Sequence, residues 1–479
     1  MLLNEILTDI NTISISGDVN ITITDISFDT RTVSKGSIFV CIKGINSDRH
    51  DFVNQAIENG ALCIVSEYPI ENKNVTNIVV GNTNHALALI SGNFFENPHH
   101  SLRIIGVTGT NGKTTITNLI KNVLEECGYK VGLIGTNEIV IGEDALPSNC
   151  TTPEPPQLFG FFAQMKKADC DFVIMEVSSH SIALGRVYGI EFEAGIFSNL
   201  TQDHLDFHKS MEEYADVKAE FFKNCKISII NADDSFCEIM KAKAADKIAT
   251  YGINSDCDYK AENIEYTDSG VNYTVSGENF TEYNIKFPIP GKFSVYNSIS
   301  VCALANELTI PDGFVKMALR KTKTVKGRCE IVDTGEKPYT VIIDYAHTPD
   351  GMVNIISTIN EFKKAKVITL FGCGGDRDKD KRPKMGKIAK KLSDIVVVTS
   401  DNPRSEDMSA IISDITAGIT GMENIYTLPD RKEAIKLALS LAKKDDIILL
   451  LGKGHETVQK FKDYEIYFDE REVVKALCD

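Results

Sequence analysis

The segment Gly106-Val107-Thr108-Gly109-Thr110-Asn111-Gly112-Lys113-Thr114-Thr115 follows the apolar run Leu102 to Val107 and opens the helical run Ile116 to Cys127. That order of residue types suits a polyphosphate. Glycines let backbone N–H groups turn inward around phosphate oxygens, and the helix N-terminus adds its positive end. Lys113 then reaches the outer phosphates, and Thr114 is the hydroxyl placed for Mg²⁺. The strict pattern has glycine where Val107 stands, so this phosphate loop is a variant. Other residues could extend the chemistry. Glu176 ends the apolar run Phe172 to Met175, at the carboxyl edge where α/β sheets present ligands, and could hold Mg²⁺ beside Thr114; by itself it could also be an N-capping or surface glutamate. His204 sits in a polar turn, where most histidines are not ligands. Lys218 lies on the helical segment Met211 to Phe222, whose apolar face is marked by Tyr214, Val217 and Phe221, so spacing alone reads it as solvated. Arg328 and Asp344 each read, in isolation, as members of surface ion pairs. Arg404, in Asp401-Asn402-Pro403-Arg404, is either a loop ion pair or a fork for a carboxylate.

Stepping outward along the chain, three regions must position these groups. Residues 1–98 carry short strand-like runs such as Ser37 to Ile42 and Ala61 to Val65, and end in the polar stretch Glu96-Asn97-Pro98-His99-His100. Residues 99–329 interleave buried-strand runs with helical patterns, which predicts a doubly wound, mainly parallel sheet around the phosphate loop, with antiparallel strands appended around residues 260–287. Residues 330–479 repeat the alternation, with runs at Thr340 to Ile343, Val367 to Phe371, Ile395 to Val398 and Ile447 to Leu451, which predicts a Rossmann-like unit. The fold class expected is α/β in three domains: a small α/β unit, a central P-loop unit and a C-terminal Rossmann-like unit.

Composition narrows the function further. The 479 residues are 43% hydrophobic, too many for one ordinary core. A formal net charge of −16 disfavours broad nucleic-acid binding, which needs a basic face. The start Met1-Leu2-Leu3-Asn4-Glu5 has no basic leader, and no apolar run reaches the roughly 18 residues of a membrane helix, so no membrane insertion and a cytoplasmic location are expected. The 12 cysteines lie singly, without C-x-x-C spacing, and read as reduced, mostly buried thiols.

Thr-Gly-Thr-Asn-Gly-Lys-Thr-Thr resembles the phosphate loop of the Mur ligase family, which also includes folylpolyglutamate and cyanophycin synthetases. The family's further motifs follow in order: Thr151-Thr152-Pro153-Glu154, Glu176-Val177-Ser178-Ser179-His180, Asn199-Leu200-Thr201-Gln202-Asp203-His204-Leu205-Asp206, Asp344-Tyr345-Ala346-His347-Thr348-Pro349, Gly374-Gly375-Asp376-Arg377-Asp378 and Asp401-Asn402-Pro403-Arg404. The set is similar to that of the tripeptide-forming member, over nearly the whole chain. The resemblance implies ATP-dependent amide formation through an acyl phosphate, with UDP-N-acetylmuramoyl-L-alanyl-D-glutamate as acceptor and Mg²⁺ as cofactor. It implies ATP contacts at Gly109, Thr110, Asn111, Gly112, Lys113, Thr114, Thr115, Asn297, Arg328 and Asp344, although Ser294 replaces a more usual asparagine near Asn297. It assigns Thr114, Glu176, His204 and Lys218 to metal, with Lys218 carrying a carbamate, and makes Lys113, Lys218 and His204 the catalytic group.

On the acceptor side the resemblance implies contacts at Thr30, Thr151, Thr152, Ser178 and Arg186. Arg49 departs from a common glycine in the loop Ile45 to Asp51, and Leu184 replaces a glutamine of some members. For the incoming amino acid it implies Arg377, Asp401, Asn402, Pro403, Arg404, Gly452 and Glu456. Asp-Asn-Pro-Arg is the form typical of members that add meso-diaminopimelate, which is lysine with a second carboxylate at its far end. L-Lysine is the alternative amino acid. A P-loop motor, switch or kinase shares only the phosphate loop, and a silent UDP-sugar-binding protein would have lost metal and ATP groups that are all present here. A folylpolyglutamate-type ligase has no place for the amino-terminal region or for Asp-Asn-Pro-Arg.

Overall fold

The computed structural model describes residues 1–478 apart from Ile45, Asn46, Lys73, Asp206, Asp268, Ser269 and Asn279. Part of the loop Ile45 to Asp51, the last residue of the Asn199–Asp206 motif, and three positions of the antiparallel stretch around 260–287 therefore lie outside the described residues.

Buried β-branched runs form three sheets. The first has five strands in the order Thr12–Ser16, Thr76–Val80, Cys63–Ser66, Ser37–Val40 and Asp25–Ser27, antiparallel only at the first pair. Its core takes Ala86, Leu87 and Ile90 from helix Thr83–Phe94 against Ile38, Cys63 and Ile78.

The second sheet has eleven strands. Its parallel heart runs Lys247–Gly252, Ile227–Asn231, Ala194–Phe197, Arg103–Thr108, Phe172–Glu176 and Val131–Ile134. The strands Tyr259–Thr267, Gly270–Ser276 and Tyr283–Phe287 extend one edge as an antiparallel meander, as the alternating pattern predicts. Helices Lys113–Glu126 and Lys292–Glu307 cover one face, and Pro155–Lys167 with Met211–Glu220 cover the other. Central strands buried on both faces, such as Phe172–Glu176 and Ala194–Phe197, demand this double cover.

The third sheet has six strands, Glu330–Val332, Thr340–Asp344, Ile447–Leu451, Val367–Phe371, Ile395–Val398 and Ile425–Thr427, parallel after the first pair. A hairpin of Val458–Lys460 and Glu465–Tyr467 follows it. Beneath its loops lies a fully buried ion pair, Arg431–Glu470 at 2.8 Å, in which Arg431 also donates to the carbonyls of Ser400 and Leu451. It ties helices Arg431–Leu441 and Glu470–Cys478 to the ends of two strands. Glu470→Ala leaves that guanidinium buried without its carboxylate, and is expected to destabilise this unit by about 3–5 kcal/mol in a urea titration.

All 12 cysteines are free, and most are buried. Among the described residues no helix is long and apolar enough to cross a membrane.

Candidate active site

The phosphate loop joins strand Arg103–Thr108 to helix Lys113–Glu126. Val107 needs no glycine conformation, because it is still in the strand, paired with Glu176 and fully buried. The turn begins at Gly109, whose φ is +145°, where an added Cβ would collide with Ser198 Oγ. At Gly112, φ +88°, an added Cβ would lie 2.7 Å from Asn297 Oδ1, so Asn297, expected as an ATP contact, stands against the phosphate loop.

Three cations converge here without a carboxylate at ion-pair distance among the described residues. Lys113 Nζ donates back to the carbonyls of Gly109 (2.8 Å) and Thr110 (3.0 Å). Burial pulls its ammonium below the ordinary range, against the opposing charge of Glu176. Arg328 Nη2 donates to Thr114 Oγ1 at 3.1 Å, and its Nε is buried without a hydrogen-bond partner. It is therefore not a member of a surface ion pair. Bare cations in such a pocket carry a desolvation cost that an anionic ligand relieves. Arg328→Ala is expected to raise the KM for ATP about tenfold or more in initial-rate assays, since a hydrogen bond to a charged group contributes about 1.5–3 kcal/mol.

Lys218 is the third cation, and it corrects the solvated reading given by spacing. The buried face of helix Met211–Glu220 is Tyr214, Ala215, Lys218 and Ala219, with Lys218 only 1% exposed. Its Nζ donates to Gly109 O (3.1 Å) and Thr108 Oγ1 (3.3 Å) and lies 4.9 Å from the Tyr214 ring centre. Burial first, and then the Lys113 charge, hold its ammonium well below the usual lysine range.

Glu176 is neither a surface glutamate nor an N-cap. It is 1% exposed, its carboxylate accepts from Thr136 N (2.8 Å) and Thr136 Oγ1 (2.9 Å), and Ser178 caps the following helix Ser179–Ala183. Burial pushes His204 down to about 3, so its ring is neutral and keeps a lone pair for a metal. Its φ of +54° is a left-handed conformation that only the surrounding structure can hold. Among the described residues no three His, Cys, Asp or Glu side chains cluster as a metal site. Mg²⁺ commonly takes only one or two carboxylates and completes its shell with substrate phosphates and water, which the oxygen donors of Thr114 and Glu176 fit.

Beside this lies a cleft of about 1740 Å³ between the second and third sheets. It exceeds the roughly 300–1,000 Å³ of a pocket for one small ligand. Thr115, Thr151, Asp203 and His204 line it from one side, and Arg377, Asp401, Asn402, Arg404, Gly452 and Glu456 from the other. Arg404 has left-handed φ, +52°, and Nη1 donates to Gly375 O at 2.6 Å. It makes no ion pair among the described residues, contrary to the loop-salt-bridge reading. Burial first, and then Arg377, push its guanidinium below the ordinary value, a strain that a carboxylate in the cleft would relieve.

Thr152 Oγ1 donates to Glu176 O (2.8 Å) and accepts from Ser178 N (3.1 Å), and Arg186 donates to Thr152 O (2.9 Å) and pairs with Glu154 (2.5 Å). Thr151 accepts from Thr136 Oγ1 at 3.1 Å. These four predicted acceptor contacts thus adjoin one another. Thr30 does not join them; it stands in the turn Thr30–Thr32 of the first unit, its carbonyl accepting from Asn59. Asp344 is held by the amides of Cys329 (2.7 Å) and Ala346 (2.8 Å) rather than by an ion pair.

Sequence reasoning passed over Asp203, although it stands in a quoted motif. Its carboxylate faces His204 (3.5 Å), His347 (3.7 Å) and Lys381 (3.8 Å), the last two from the third unit. Burial opposes its charge, but the His347 hydrogen bond and the charges of His204, His347 and Lys381 hold its carboxyl well below the usual range. Thr136 carried no sequence signal at all.

Family models match three stretches: the Mur ligase family catalytic domain at residues 22–95, the Mur ligase middle domain at 107–305 and the Mur ligase glutamate ligase domain at 327–454. The chain is 48% identical to UDP-N-acetylmuramoyl-L-alanyl-D-glutamate–2,6-diaminopimelate ligase 1 of Clostridium acetobutylicum, over 99% of this chain and 98% of that protein. It is 46% identical to the ligase of the same name, without the number, from Clostridium tetani, over 100% and 99%. A solved structure of a UDP-N-acetylmuramoyl-L-alanyl-D-glutamate–2,6-diaminopimelate ligase superposes with a TM-score of 0.70 at 29% identity, covering 100% of this chain and 99% of that one. With all three family models matched in order and relatives of this identity along its full length, the chain belongs to the Mur ligase family.

Proposed function

We propose that the chain is an ATP-dependent ligase that joins meso-diaminopimelate to the γ-carboxylate of D-glutamate in UDP-N-acetylmuramoyl-L-alanyl-D-glutamate, releasing ADP and phosphate in peptidoglycan precursor synthesis. The names of its full-length relatives support this. The observation that carries it is one cleft beside the cation-rich phosphate loop, lined by Thr115, Thr151 and His204 on one side and by Arg377 and Arg404 on the other.

A carboxylate is a poor electrophile. Its oxygen attacks the γ-phosphorus of ATP, ADP leaves, and an acyl phosphate forms; the amine then attacks the acyl carbon, phosphate departs and one proton is lost from nitrogen. Lys113 and Arg328 neutralise the phosphates, while Thr151, Thr152, Ser178 and Arg186 hold the dipeptide arm. Thr114 and Glu176 would hold one Mg²⁺, with His204 and a carbamylated Lys218 holding a second. Bound Mg²⁺ supplies further neutralisation of charge on the transferring phosphoryl group.

Lysine ligation is the weaker reading, because Arg404 and Arg377 flank Gly374 on the cleft wall and lysine offers no distal carboxylate to meet them. The nucleotide-linked substrates support a cytoplasmic reaction. Phosphate release from ATP with the UDP-muramoyl dipeptide tests the whole proposal: release is expected with meso-diaminopimelate, little with L-lysine and none without an amine. Release with neither amine would refute it.

A further inference from the structure

We propose that Lys453 is a positioning residue that sets the amino-acid selectivity of the cleft by fixing which atoms Asn402 and Glu456 present to the incoming amino acid. The inference rests on the ligase reading above. Lys453 does not line the cleft itself; its side chain is fully buried behind Gly452, Glu456 and Val458, which do. Its Nζ donates to Val458 O (2.6 Å), Asn402 Oδ1 (3.2 Å) and Glu456 Oε2 (3.2 Å), which uses all three N–H groups.

Each acceptor is thereby committed. Asn402 Oδ1 also accepts from Lys460 N at 3.0 Å, so the amide can point only its NH₂ toward Glu456, and Nδ2 donates to Oε2 at 2.8 Å. A flipped amide would set N–H groups against an ammonium and a backbone N–H. Glu456 Oε2 has two donors, whereas Oε1 takes none among the described residues, and Glu456 lines the cleft. The backbone drives Lys453 inward: Gly452 and Gly454 on either side have φ of +110° and +53°, and an added Cβ on Gly452 would lie 2.6 Å from Asp401 Oδ2.

Charge gives the arrangement its selectivity. The far end of diaminopimelate carries an ammonium and a carboxylate together, and needs one acceptor beside the guanidinium of Arg404. Glu456 Oε1 is that acceptor. Lys453 neutralises the remainder of the Glu456 charge, so that the pocket does not act as a general ammonium trap. Without it, Glu456 is a mobile, uncompensated carboxylate that accommodates the simple ammonium of lysine as readily.

The test is a set of initial-rate measurements on the full chain and on Lys453→Met, with meso-diaminopimelate, L-lysine, ATP and the UDP-muramoyl dipeptide varied in turn. The expected result is a KM for diaminopimelate raised about tenfold or more, and a diaminopimelate-to-lysine ratio of kcat/KM lowered about tenfold, as for loss of a buried partner that orients a ligand group. The KM values for ATP and the dipeptide should stay within about twofold. A variant with all KM values unchanged and only its melting temperature lowered overturns the inference. Lys453→Gln, which keeps two N–H donors without the charge, is measured alongside and should fall between Lys453→Met and the wild type. If neither variant folds, Lys453 is a strut of the core and the inference falls. A wild-type protein inactive with both amino acids instead overturns the ligase reading itself, whereas an active wild type with unchanged variants overturns this inference alone.

Discussion

Lys218→Ala is expected to lower kcat on the order of 10²- to 10³-fold, the usual cost of removing one preorganised electrostatic group from a transition state. The reason lies in which form of the amine the site favours. Only a neutral amine adds to CO₂, forming a carbamate with loss of one proton, and burial together with the Lys113 charge disfavours the ammonium of Lys218. The carbamate keeps one N–H, which can still donate to Gly109 O, and the Lys113 charge nearby stabilises its anionic oxygens. Lys218→Arg, which keeps a cation but forms no carbamate, should be as inactive as the alanine variant. A short carboxylate such as formate should restore part of the alanine variant's rate by occupying the space left open. Phosphate-release kinetics measure these effects, and ¹³C NMR of protein equilibrated with labelled bicarbonate should show a carbamate carbon in the wild type only. Full activity of Lys218→Ala without added anion would remove Lys218 from the mechanism.

Arg404→Ala should cost diaminopimelate about 2–5 kcal/mol in kcat/KM, the range for truncating one side of a buried charged pair. At 1.36 kcal/mol per factor of ten, the lower limit is a loss of about 30-fold. Lysine turnover should change little, because lysine has no distal carboxylate for this guanidinium. The structure makes the effect specific. Among the described residues Arg404 pairs with no carboxylate, and its guanidinium donates to Gly375 O at the edge of the cleft. Equal losses for the two amino acids would show that Arg404 only props its loop.

Several features were legible because they are local. A phosphate loop needs glycines, a lysine and a hydroxyl within one turn, and all of them stand between residues 106 and 115. The alternation of apolar runs with helical lengths likewise predicted the parallel sheets, since a strand buried on both faces must be continuously apolar. The form Asp401-Asn402-Pro403-Arg404 pointed to a distal carboxylate before any geometry was known.

What the sequence could not decide is where charges end up relative to water and to one another. Lys218 reads as solvated on its own helix, and becomes buried only because strand Arg103–Thr108 and the phosphate loop pack over it. Arg328 meets Thr114 across 214 residues of chain, and Asp203 meets His347 and Lys381 from another sheet. Lys453 lies in an unremarked Gly-Lys-Gly run until its three acceptors are seen to converge. Residue type and local spacing determined the chemistry available to this chain. Packing within each unit, and the docking of the second on the third, decided which of those groups lose water and which partners they gain, because desolvation and Coulombic contact depend on distances that run through space and not along the chain.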